Sequence, residues 1–305
     1  VRRWLLPLLA AVACSHGPAV LPEDPDDAGT VDPAADAGTA PGCRGFSAPR
    51  RVGNNPAELP ELSGLAASRK HPGIYWAHND SGNALELLAI SEDGALRARI
   101  PLTGARNVDV EDVAVAPCGE STCVVLADVG DNQERRTGVA LYRLLEPDVL
   151  DDAPRAVEVL PFRYEDRPHN VESFVADPVD GTAWLVTKGL FTLGDVYRVD
   201  GLGAPDGGTA VKVAALANPG LDQLSTAADA HPEGHSVLVR SYGRAWLYRA
   251  PDGGSLAGAW GASPVEVPAP SQPQSEAVSW LPDGRGYLVG TEGAGEGLFR
   301  VDCVP

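Results

Sequence analysis

Basic side chains are scarce in this chain: 24 Lys and Arg stand against 42 Asp and Glu over 305 residues, a formal net charge of −18. Nucleic acid and anionic membrane surfaces are both recognised through clustered Lys and Arg, so neither is an expected partner. The leader run Trp4 to Ala13 has ten apolar residues, half of the ~20 that a bilayer-spanning helix requires. A G-x-S-x-G elbow, an HExxH box and a phosphate-cradling glycine loop are all missing, which leaves classical serine-hydrolase chemistry unsupported. Turn formers are abundant instead. The 34 Gly and 27 Pro far exceed the ordinary share, roughly an eighth of residues, and argue against a helical bundle. At 44% hydrophobic residues the chain can still bury a large core.

The N-terminus reads as an address label. Val1 fits an alternative start codon; Arg2 and Arg3 form a positive n-region, and Ala11-Val12-Ala13-Cys14 resembles a bacterial lipobox. Residues 1–13 are accordingly expected to be a lipoprotein signal peptide, with Cys14 as the lipidation site. From Ser15 to Gly42 there are six acids, no Lys or Arg and no aromatic residue. Such a segment cannot bury enough apolar area to offset its ordering entropy, so 14–42 is expected to be a disordered tether. The folded domain is then 43–305, exported and lipid-anchored in the cell envelope, with outer-membrane placement favoured. A monomer with a small-molecule or envelope ligand is expected, touching the membrane only through its anchor.

Four further cysteines remain: Cys43, Cys118, Cys123 and Cys303. In an exported chain an even number reads as disulfides. Cys118 and Cys123 bracket a GEST turn between apolar runs, which leaves Cys43 to pair with Cys303. A zinc site is the alternative, but no CxxC spacing supports it.

Five segments repeat one pattern at intervals of roughly 50–60 residues: ELSGLAAS (61–68), DVEDVAVAP (109–117), NVESFVADP (170–178), LSTAADAHP (224–232) and QSEAVSWLP (274–282). Each is followed by further apolar strands separated by turns such as Asp93-Gly94 and Asp283-Gly284. The first four repeats carry a fourth, more polar strand: LRARIPL, AVEVLPFRY, AVKVAAL and SPVEVPAP. Four strands per repeat at this period predict an all-β, five-bladed β-propeller, six blades being the alternative. The fifth repeat lacks its outer strand, and residues 43–53 fit as a replacement that closes the ring. Strand count and cysteine pairing give the same closure.

Alignment on Pro117, Pro178, Pro232 and Pro282 puts Glu111, Glu172, Thr226 and Glu276 in one column, with Ser63 as the first-repeat equivalent. Two residues earlier lie Glu61, Asp109, Asn170, Leu224 and Gln274. Glu61, Asp109, Glu111, Glu172 and Glu276 are therefore the candidate metal ligands. Carboxylates converging on one axis repel unless protonated, solvated or neutralised by a cation, and hard oxygen donors suit Ca2+. Second-strand ends add candidate ligand-binding residues: Asp80, Asp131, Arg135, Lys188, Arg240 and Glu292. If the basic ones reach the same face, they could hold an anionic substrate such as a phosphate ester. His78 and His169 are candidate general bases without a visible partner. His231 and His235 fall in a turn on the opposite face.

The ELSGLAAS…IYWAHNDSG opening and the later DVEDVAV and SEAVSW segments resemble the secreted bacterial propellers of the esterase-like-phytase and SdiA-regulated groups. The resemblance implies a propeller, export and calcium binding, carried by Glu61, Ser63, Gly64, Asp80, Glu111 and Glu276. Leu224 and Thr226 depart from the acid column. Two functions stay open: a ligand-binding propeller with Ca2+ at an acidic channel mouth, extending to phosphate-ester hydrolysis, and a non-catalytic scaffold without a metal.

Overall fold

The computed structural model describes residues 43–189, 193–216 and 224–305. The leader, Cys14 and the acidic tether lie outside the described residues. Among those described, the secondary structure is almost entirely β, with one four-residue α-helix, Leu256–Ala259.

Two short strands, β1 (Gly45–Phe46) and β2 (Arg50–Asn54), come first. An antiparallel unit follows: β3 (Leu62–Ala67), β4 (Ile74–Asn79), β5 (Glu86–Ser91) and β6 (Leu96–Thr103). The second unit is β7 (Val110–Cys118), β8 (Ser121–Asp128), β9 (Val139–Leu145) and β11 (Glu158–Tyr164); the short β10 (Arg155–Ala156) precedes β11 in the chain but joins the first unit's sheet. The third is β12 (Val171–Ala176), β13 (Ala183–Thr187), β14 (Gly194–Asp200) and β15 (Gly208–Leu216). The fourth is β16 (Ser225–Ala230), β17 (Ser236–Ser241), β18 (Ala245–Arg249) and β19 (Val265–Val267). The last is β20 (Ala277–Trp280), β21 (Gly286–Gly290) and β22 (Gly297–Val304).

Within each unit the strands run up and down in sequence order. The first strands of the units touch in a closed order, β3 to β7 to β12 to β16 to β20 and back to β3, which makes the arrangement propeller-like. Sequence explains the layering. The inner strands β3, β12 and β16 (LSGLAA, VESFVA, STAADA) are built largely of small residues, and almost every position is buried. The outer strands β6 and β11 alternate buried and exposed positions, as expected of strands with one face in water.

Two pairings go beyond the repeat pattern. β11 pairs in parallel with β15, joining the second and third units into one eight-stranded sheet. β10 pairs in parallel with the outer edge of β6. Both cover edges that would otherwise present free backbone groups.

The inner strands belong to different units and share no backbone ladder, so polar side chains link them. Ser63 Oγ donates to Glu111 O at 2.8 Å. Asp112, fully buried, accepts from Phe174 N at 2.9 Å and Ala228 N at 3.2 Å, and so ties β7 to β12 and β16. Burial pushes its carboxyl pKa well above the usual carboxylate range. Asp229 on β16 accepts from Trp280 N at 2.8 Å, and Ser279 Oγ on β20 accepts from Ala67 N at 3.0 Å. That last bond returns to β3.

β1 and β2 both lie antiparallel on β22, with Phe46 opposite Cys303 and Arg51 opposite Phe299. Cys43 is bonded to Cys303 across a sequence separation of 260, and Cys118 to Cys123 across 5. The two bridges should therefore differ in worth. In the chain-entropy picture, serines at Cys43 and Cys303 cost about 5 kcal/mol, and serines at Cys118 and Cys123 about 2 kcal/mol. Urea unfolding of the two double variants tests this, and equal losses would contradict it.

Candidate functional site

A one-residue irregularity at the start of the inner strands aims the site. The pairing register of the first four units slips between Leu62 and Gly64, Val110 and Asp112, Val171 and Ser173, and Ser225 and Ala227. The residues left unpaired are Ser63, Glu111, Glu172 and Thr226, the column seen in the sequence. In the fifth unit Glu276 directly precedes β20. A β-bulge turns its extra residue out of the ladder and re-aims the side chain. Ser63 and Thr226 spend that freedom on a neighbouring unit: Thr226 Oγ1 donates to Ser275 O at 2.6 Å, as Ser63 does to Glu111. The three glutamates turn to the mouth.

A second set comes from the residue at which each second strand leaves its partner. Asp80 N donates to Glu61 O, Lys188 N to Asn170 O and Glu292 N to Gln274 O, the same bond in three units. In the second unit both Val129 N and Gly130 N bond to Asp109 O. A β-carbon on Gly130 would fall 2.0 Å from Glu111 Oε1 and 2.6 Å from Asp109 Cγ. Only glycine leaves room there for the two carboxylates.

The resulting cluster is dense. Single oxygens of Asp80, Asp109 and Glu111 all lie within 4.8 Å of one another. Glu111 also faces Glu172, whose Oε1 sits 3.1 Å from Lys188 Nζ and accepts from Asn170 Nδ2 at 3.0 Å. Lys188 Nζ lies 5.2 Å from the centre of the Tyr242 ring. Glu276 lies beside Glu292, which accepts from Gln274 Nε2 at 2.6 Å. Six carboxylates thus share one ammonium.

Electrostatics follow from burial and crowding. Burial, then Asp109, Glu172 and Glu292, push the Asp80 pKa up to about 6. Burial and Glu172 raise Asp109. Glu111 rises well above the usual range through burial, then Glu172, Asp80 and Asp109. Burial and Glu292 push Glu276 up to about 9. Burial works against the Lys188 ammonium, but Glu172 and Tyr242 outweigh it and hold its pKa above the ordinary lysine value.

Several expected residues stand elsewhere. Glu61 is exposed, and its carboxylate accepts from Asn83 Nδ2. Asp131 is buried and holds its own loop, accepting from Arg136 N at 2.6 Å. Arg135 is exposed, and Arg136 pairs with Asp128 at 2.8 Å. Arg136 is thus committed to Asp128, and Arg135 makes no ion pair among the described residues. Arg240 is fully buried two residues before the mouth, with Nη2 donating to Pro270 O at 2.9 Å. The residue of that strand at the mouth is Tyr242, which the sequence reading passed over. The parallel triplets Thr187-Lys188-Gly189, Ser241-Tyr242-Gly243 and Thr291-Glu292-Gly293 could have revealed it. Neither candidate base is free for the role. His78 Nδ1 bonds Asn79 O at 3.1 Å, and burial lowers its pKa to about 4. His169 Nε2 lies 2.7 Å from Tyr197 Oη and 2.9 Å from Asp166 Oδ1.

An all-oxygen donor set whose members raise one another's pKa fits a hard divalent cation such as Ca2+. Asp80, Asp109 and Glu111 would be its protein ligands. Without a cation, folding takes up protons on Asp80, Glu111 and Glu276, so stability is full below their unfolded pKa values. It falls as pH rises from about 4 through about 9, the window set by Asp80 and Glu276. Melting temperatures in chelator across this range should decline, and Glu111→Gln should flatten the decline. A melting temperature that rises through the window would contradict the assignment.

No family model matches the sequence, and no curated protein matches it. Among solved structures, the chain is similar to the PQQ-bound form of aldose sugar dehydrogenase from Streptomyces coelicolor, at 12% identity. That alignment covers 84% of this chain and 97% of the other, with a TM-score of 0.48.

Proposed function

We propose that this protein is a five-bladed β-propeller, exported and anchored through Cys14, that binds Ca2+ at the acidic mouth of its channel and holds an anionic ligand against it. The blade count rests on the five antiparallel units and the closed order of their inner strands. β1 and β2 close the ring on β22. The observation that carries the function is the approach of Asp80, Asp109 and Glu111 to within 4.8 Å, inside a ring of further carboxylates.

Bound there, the cation would polarise an oxygen of a phosphate ester. The rest falls to the chain's own groups. Lys188, held by Glu172 and Tyr242, presents an ammonium to a second anionic oxygen. Glu276, with its pKa pushed up to about 9, keeps a proton at neutral pH beside Glu292. It is therefore the group able to donate to a leaving oxygen. Phosphate esters are the ligand class that this pairing of cation, lysine and protonated acid suits best, with hydrolysis as the reaction.

Calorimetric titration of residues 43–305 with Ca2+ tests the reading. A stoichiometric site is expected, with protons released on binding and affinity rising with pH as Asp80 and Glu111 give up their protons. Asp80→Asn and Glu111→Gln should weaken Ca2+ at least about 10–100-fold, the loss seen even for outer-shell partners. Lys188→Ala should keep Ca2+ and lose the binding of inorganic phosphate. Calcium-dependent release of phosphate from p-nitrophenyl phosphate, lost in Glu111→Gln, marks hydrolysis; phosphate binding without release marks a pure binding protein. Calcium uptake unaltered in both acid variants would refute the site.

A further inference from the structure

Away from the acidic mouth, where the fourth unit meets the closing strands, a small cavity is lined by Cys43, Phe46, His231, His235, Arg249 and Trp280. It has room for a single water molecule or a monatomic ion of similar size. Its walls are rich in donors without acceptors. Arg249 Nε and Nη1 and Trp280 Nε1 are buried and make no hydrogen bond, and His231 Nε2, also buried without a well-formed bond, packs against the Gly284 backbone. His231 itself is 3% exposed and Trp280 likewise 3%. His231 Nδ1 accepts from Glu233 N at 3.2 Å, so the proton of the neutral ring sits on Nε2. Burial, then the neighbouring His235, lower the His231 pKa to about 4, which keeps the ring neutral at pH 7.

Buried donors left without acceptors are costly, and those of a half-buried guanidinium more so because they carry charge. Here they come from three side chains around one space. We propose that a small inorganic anion, chloride where halide is present, occupies this cavity and ties the fourth unit to the closing strands beside the Cys43–Cys303 bridge.

The opposite reading, a metal cation, has one point in its favour. His231, Glu233 and His235 offer ligand atoms within 4.8 Å of one another. Against it, the two imidazoles are stacked with centroids 4.1 Å apart and planes 19° from parallel, rather than converging on one point. The Nδ1 lone pair of His231 is already engaged, and His235 Nε2 is taken by Glu233 at 3.3 Å, so that carboxylate is spent on the ring rather than on the cavity.

Thermal melting at constant ionic strength, with sodium chloride replacing sodium gluconate, tests the proposal. The melting temperature should rise with chloride, by about 3 °C per tenfold increase beyond the dissociation constant. Bromide should act alike, and Arg249→Met should lose the response. Should that variant not fold, crystals of the unaltered protein grown in bromide decide the matter. An anomalous peak within hydrogen-bond reach of Arg249 and Trp280, together with the melting shift, supports the site. A peak with no melting shift means an adventitious ion only and overturns the proposal. So does the absence of both, or a melting shift with zinc in place of halide.

Discussion

Inner strands drawn from separate units cannot satisfy one another through a backbone ladder, yet they are packed too closely for water to serve all of them. Side chains must do it. Ser63 bonds β3 to β7, Asp112 bonds β7 to β12 and β16, and Asp229 and Ser279 complete the circuit through β20 to β3. An unmet buried amide or carbonyl costs about 1–3 kcal/mol, so these residues are constrained by the closure itself. The same crowding selects the Ala, Ser and Gly of the inner strands.

Bulging is how the chain places chemistry on top of this circuit. One extra residue at the start of a strand frees a side chain from the pleat, and repetition sends several such side chains to one end. Where the freed residue is Ser63 or Thr226, it stitches units together. Where it is Glu111 or Glu172, it adds charge to a shared mouth, and Gly130 stays bare to admit it. Structure and site are two uses of one irregularity. The cost is electrostatic: Glu111, Glu276 and Asp80 all have carboxyl groups that hold their protons to unusually high pH.

Much of this was legible in the sequence because the antiparallel units repeat. The column of Glu111, Glu172 and Glu276 aligned on downstream prolines, and the pairing of Cys43 with Cys303 followed once Cys118 and Cys123 were matched across their turn. Offsets that vary between units were not legible. Arg240 lies two residues before the mouth because the turn after β17 is one in which Tyr242 takes that place. Arg135 and Arg136 share a loop, but Arg136 is claimed by Asp128, a contact fixed only in three dimensions. Glu61 matched the acid pattern two residues before the bulge, yet that position points to Asn83 in the first unit and into the cluster, as Asp109, in the second. Pairings between outer strands, such as β11 with β15, carry no sequence signature of their own.

The cation proposed among Asp80, Asp109 and Glu111 is open to anomalous diffraction from crystals soaked in calcium. A peak within about 2.3–2.6 Å of oxygens from these three residues is expected. A map without density there would refute the site.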